Sequence, residues 1–110
     1  MNEENPIGET PIGEGEWWVA AIGDTLVWAR LDVLESGIAR VFDSSGEHPR
    51  YDDEQHARMS LLDAEFRAFD GLDEEDAAAM GFDLDSAEPP RGEDDEELLS
   101  MMVQKLVRLQ

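Results

Sequence analysis

The chain contains no cysteine, a single lysine and only two histidines among its 110 residues, and none of its apolar runs approaches eighteen residues. Without thiols there can be no disulfides, thiolate metal centres or cysteine nucleophiles. Without a long apolar run there is no candidate membrane-spanning helix. The start, Met1-Asn2-Glu3-Glu4-Asn5-Pro6, carries neither the basic nor the apolar region of an export signal, so a cytoplasmic protein is expected. No HExxH spacing, phosphate-binding glycine loop or nucleophile elbow is present, and no catalytic residue, cofactor or metal is expected. A calcium-loop reading that starts at Asp83 and Asp85 fails, because Ala87 stands at the fifth ligand position and Glu88 where the tight turn needs glycine.

What the chain has in excess is negative charge: 28 Asp and Glu against 8 Lys and Arg leave a net charge of −20. Direct binding to nucleic acid is therefore disfavoured, and a basic protein partner is the natural complement. The acids concentrate between Asp52 and Glu97, where the only basic side chains besides His56 are Arg58, Arg67 and Arg91. If that stretch covered half the surface, its density would be about one net charge per 200 Å², within a factor of two of duplex DNA at about one per 100 Å². Mimicry of nucleic acid is physically open to such a surface.

The apolar residues, 41% of the chain, fall in periodic blocks, which implies one packed domain. Residues 1–15 hold a tandem repeat, Pro6-Ile7-Gly8-Glu9-Thr10 and Pro11-Ile12-Gly13-Glu14-Gly15, and read as a flexible arm before a single domain over 16–110. Trp17 to Ile22 and Thr25 to Leu34 flank Gly23-Asp24, a two-residue hairpin signal, and Ile38 to Asp43 gives a third run. The fold class expected is α+β, with a three-stranded antiparallel meander over about 16–43. In the second run Val27, Ala29, Leu31 and Val33 share one face, expected to point inward, while Trp28, Arg30 and Asp32 share the other.

Three helices are expected over about 53–69, 74–80 and 94–109, packed on one face of the sheet, with a linker at about 83–93. The first should start at Asp52 or Asp53, turn Met59, Leu62, Phe66 and Phe69 inward, and end at Gly71. The second should end at Gly81. The third should be amphipathic along Leu99, Met102, Leu106 and Leu109, with a homo-oligomer possible through it.

Two surfaces compete for function. The first is a carboxylate-rich face of Asp52, Asp53, Asp63, Asp70, Asp73, Glu74, Glu75 and Asp76, which would make the protein a non-enzymatic module docking on a basic, nucleic-acid-binding partner. The second is apolar: Trp17, Trp18 and Trp28 as an aromatic patch, or Leu99, Met102 and Leu106 on the last helix, serving an adaptor in which acidity only confers solubility. Adjacent Trp17 and Trp18 must point to opposite faces of a strand, so one of them should be partly exposed. His56, three residues after Asp53, is expected to be a surface histidine of the first helical turn rather than a catalytic base.

Overall fold

A computed structural model describes residues 10–105. Its antiparallel sheet comprises β1 (Pro11–Ile22), β2 (Thr25–Leu34), β3 (Ala39–Phe42), β4 (Arg50–Tyr51), β5 (Arg67–Ala68) and β6 (Val103–Lys105), accompanied by α1 (Glu54–Asp63), α2 (Glu74–Met80) and α3 (Asp95–Leu99). The α+β class is as expected, and β1, β2 and β3 are consecutive neighbours. The sheet is larger than a meander, however, running β4-β3-β2-β1-β5 with β6 also paired to β2.

The hairpin turn lies where Gly-Asp places it, with Ile22 opposite Thr25 and Gly23 at φ 62°, a positive angle that a primed turn needs. β1 begins well before the expected boundary of the arm. Pro11 and Ile12 pair with Leu34 and Val33, pairing lapses, and it resumes at Glu16 opposite Leu31. Gly13 and Gly15, at φ 76° and 84°, make that irregularity a bulge, and Pro11 is tolerated because it opens the strand. The second copy of the repeat is thus sheet. The first copy, apart from Thr10, lies outside the described residues.

Both faces of the sheet are covered, which corrects the one-sided arrangement. Trp18, Ala29, Leu31, Ala39 and Val41 pack with Ala57 and Leu61 of α1. On the opposite face Val19, Leu26, Trp28 and Phe42 pack with Ala77 of α2, Phe82, Ala87, Leu98 of α3 and Met102. Neither face of β2 is the outer one: Leu31 and Trp28 are both buried. The two tryptophans do diverge as strand geometry requires, Trp18 into the first core and Trp17, half-buried, against the second.

The first helix is shorter than expected and presents a different side. Its N-cap is Asp53, but it stops at Asp63, and the backbone turns left-handed at Glu65 (φ 72°). The Phe66 amide donates to the Leu61 carbonyl and the Glu65 amide to that of Leu62, a Schellman closure in which Glu65 holds the site usually given to glycine. Phe66 and Phe69 therefore leave the helix. The inward residues are Ala57 and Leu61, one turn apart, whereas Met59 and Leu62 are 55% and 46% exposed. Gly71 falls in a short 3-10 turn, Phe69–Gly71, instead of capping a long helix.

The second helix keeps its expected span and its Gly81 cap at φ 98°, with the Phe82 amide donating to Ala77 and the Phe82 ring buried. The last element departs most. α3 ends at Leu99, and the chain returns as β6 along Thr25–Val27. β3 covers only the Arg30–Val33 portion of that edge, so the rest of it would lack hydrogen-bond partners. β6 supplies them, and the Trp28 amide donates to the Met102 carbonyl at 2.8 Å. Leu106 and the residues beyond it lie outside the described range. No helix among the described residues is long and apolar enough to cross a membrane.

Candidate interaction surface

Aspartate begins each helix because its short carboxylate reaches the unpaired first-turn amides. Asp53 accepts from the His56 amide, Asp73 from that of Asp76, and Asp94 from that of Glu97. In α2 the bond is reciprocated by Asp76, whose carboxylate accepts from the Asp73 amide. Asp53, Asp73 and Asp76 are thus committed to capping, while Asp52, Asp63, Asp70, Glu74 and Glu75 are exposed and bond no described side chain.

Every acidic side chain from Asp52 to Glu97 is exposed. Little neutralises them. Within that stretch Arg58 pairs with Glu54 at 3.1 Å and His56 with Asp53 at 2.7 Å, while Asp95 meets Arg30 at 3.9 Å and His48 at 3.2 Å from outside it. Arg67 is turned to the carbonyl of Phe66.

The expected acidic residues do not lie on one plane, since α1 and α2 sit on opposite faces of the sheet. Two such layers are separated by roughly 20 Å, more than twice the Debye length of about 8 Å at physiological salt. Asp52 and Asp53 at the start of α1 therefore act apart from Glu74 and Glu75. Asp63 closes α1, and Asp70 lies in the connection to α2 that passes along β1. That edge is where the two layers meet. There a cavity of about 750 Å³ opens between Leu62 and Glu65 on one side and Asp76, Ala79 and Met80 on the other, floored by Trp18, Ala21, Ala68 and Leu72. Sequence reading missed it, because it depends on α1 stopping early.

The expected apolar surface is mostly interior. Trp18, Trp28 and Met102 are buried, and Trp17 and Leu99 are partly so, packed against the second core. Trp28 meets Trp17 and Phe69 edge-on, with ring centroids 6.3 and 5.2 Å apart. No amphipathic helix runs through Leu99 and Met102, so oligomerisation through such a helix loses its described basis.

An ionic group that sequence reading put on an outer face is in fact enclosed. Asp32 receives the Arg30 Nε at 3.1 Å and lies 3.9 Å from Arg40. Arg30 also stands over the Phe42 ring, and His48 stacks on that ring from a centroid distance of 4.7 Å. The signal was available, since Arg30 and Asp32 are two apart on one strand and so share a face. No group of three or more histidine, aspartate or glutamate side chains able to hold a metal ion is found among the described residues.

The hydrogen bond that the His56 ring makes to the Asp53 carboxylate raises the His56 pKa above its ordinary 6.5, and the His56 amide, donating to the same carboxylate, leads in lowering that of Asp53 below 3.8, with the ring bond next. A raised histidine stabilises the fold fully below 6.5 and loses that contribution as pH rises through the raised value; a lowered aspartate contributes above 3.8 and loses it as pH falls. The pair therefore helps most between those limits. An NMR titration should show His56 deprotonating above 6.5 and returning toward it in Asp53→Asn; an unchanged midpoint would refute the pairing.

The chain matches no family model, no curated protein and no solved structure in the three comparisons made with known proteins.

Proposed function

We propose that the protein is a non-enzymatic module that docks on a basic protein through exposed carboxylates, with a nucleic-acid-binding protein as the partner class and competition with nucleic acid as the effect. The observation that carries this reading is the exposure of every acid between Asp52 and Glu97 with so few counter-ions nearby. Such a surface accelerates encounter with a positive partner and excludes negative ones. Because the two layers are screened from each other, one partner engages one side, and the partner-facing side is the β1 edge, where Glu65 and Asp76 line the cavity and Asp63, Asp70, Glu74 and Glu75 lie close along the chain to its lining residues. The adaptor reading is weaker, since Trp18, Trp28 and Met102 are core residues.

Polylysine serves as the first probe. Its affinity should fall steeply as salt rises, and the fourfold variant Asp63→Asn, Asp70→Asn, Glu74→Gln, Glu75→Gln should slow association at low salt by about tenfold or more. None of these four side chains caps a helix or makes an ion pair with a described residue, so melting should hardly change. Salt-independent binding, or a variant that associates as fast as the parent, would reject the electrostatic role. A partner captured from the native cell should be displaced by duplex DNA.

A further inference from the structure

The cavity beside β1 combines features that an acidic surface alone does not have. Its volume of about 750 Å³ is within the range of sites that seat a ligand or a set of side chains. Trp18, Ala21, Leu62, Ala68, Leu72 and Met80 form the apolar part of its lining, and Arg58, Glu65, Arg67 and Asp76 the charged part. Leu62 is left exposed there, with Met59 on the preceding turn of α1 and Ile22 next to Ala21 also exposed. Leu62 thus offers an exposed apolar side chain within the opening itself.

The cations in its wall are largely engaged. Arg58 donates to Glu16 at 2.6 Å and to Glu54 at 3.1 Å and lies over the Trp18 ring. Arg67, which donates to the Phe66 carbonyl, is the one wall cation outside an ion pair with a described residue. Glu65 and Asp76 share the wall with it, both exposed and without an ion pair among the described residues, and Asp63, Asp70 and Glu75 are the exposed chain neighbours of the lining residues Leu62, Gly71 and Asp76. With Glu16 and Glu54 on Arg58, and Glu65 and Asp76 in the wall, carboxylates outnumber the two guanidinium groups at the opening. A second copy of the chain, itself at −20, is repelled from such a site, as are anionic lipid and nucleic acid.

We propose that this groove seats the apolar side chains of a basic amphipathic segment of the partner, whose lysines and arginines meet the flanking carboxylates. The inference rests on the basic-partner reading and gives it a location. Apolar burial fixes which segment binds, and charge sets how fast it arrives.

The test uses the full chain and two synthetic peptides of equal positive charge, one alternating lysine with leucine and the other lysine with serine. The leucine peptide should bind about tenfold or more tightly than the serine peptide, as expected when apolar side chains enter a pocket. Its amide shift perturbations should centre on Leu62, Ala68 and Met80. Leu62→Ser should weaken the leucine peptide by about tenfold and leave the serine peptide unchanged. Ala79→Lys, which puts a positive charge into the mouth, provides a second variant at an exposed site should the first perturb folding. Equal affinity for the two peptides, or perturbations centred on α3, would overturn the groove while leaving the acidic reading standing. If neither peptide binds, the acidic reading fails and the groove proposal with it. Concentration-dependent dimers abolished by Leu62→Ser would assign the groove to a second copy and likewise overturn the proposal.

Discussion

Replacing Trp28 by alanine should remove a large part of the stability of the fold, with urea unfolding followed by far-UV circular dichroism as the measurement. Trp28 is fully buried at the centre of the longest pairing in the sheet, edge-on to Trp17 and Phe69 and enclosed with Leu26, Phe42 and Met102. Truncating a buried tryptophan costs about 3–5 kcal/mol, against a total stability of about 5–15 kcal/mol for a domain of ordinary size. Here self-repulsion at −20 lowers that total further. The same position makes a second, more discriminating case. The indole Nε1 is buried without a hydrogen-bond partner among the described residues, so the native residue already carries a desolvation penalty of about 1–3 kcal/mol. Trp28→Phe removes that orphan donor while keeping an aromatic ring between Trp17 and Phe69. It should cost less than about 2 kcal/mol, well below the alanine variant. Equal losses in the two variants would show that the Nε1 donor is satisfied and that the indole edge is indispensable.

Local chemistry was legible wherever one residue type has one strong structural use. Gly23-Asp24 marked the hairpin, the pair Asp52-Asp53 marked the first helix start to within one residue, Asp73 marked the second, and Gly81 marked a helix end. What misled was periodicity read without competition. Met59, Leu62, Phe66 and Phe69 are spaced for a helical stripe, but Glu65 accepts a left-handed backbone and releases the chain into β5, after which the spacing has no meaning. The alternative stripe, Ala57 and Leu61, is weaker in hydrophobicity but fits the close approach of α1 to Trp18 and Leu31. The last segment fails for a non-local reason. Its helical pattern was adequate, but the unpaired edge at Thr25–Val27 created a demand for strand that no window of neighbouring residues reveals. Two-sided burial of β2 follows from the same cause, because elements brought back from far along the chain cover the second face. Among the site residues, the exposure of the acids was readable from composition, whereas their division between two layers required the helix placements.

Asp32→Ala should be the most damaging charge deletion in the protein, with urea midpoints as the readout. Asp32 is 3% exposed and is the one buried charged residue of the described chain. It compensates Arg30 directly and Arg40 more distantly, and the Arg40 Nε is itself buried without a hydrogen-bond partner among the described residues. Removing one partner of a buried ion pair costs about 3–5 kcal/mol, because the remaining charge stays uncompensated. The lower end applies here, since both arginine side chains keep some solvent contact and Arg30 has Asp95 at 3.9 Å. Gly15 supplies the test of geometry. A Cβ built there would stand 2.5 Å from the Asp32 Oδ1 and 3.0 Å from the Arg30 side chain, at a backbone φ of +84° that already disfavours alanine. Gly15→Ala should therefore cost about 1–3 kcal/mol, part from the backbone and part from the collision. Deleting the Asp32 carboxylate relieves only the collision, so the double variant should be more stable than the sum of the single losses predicts. Strict additivity would mean that β1 does not press on Asp32 at the bulge. In that case the repeat's two glycines would serve only to bend the strand, and the buried carboxylate would owe its place to the arginines alone.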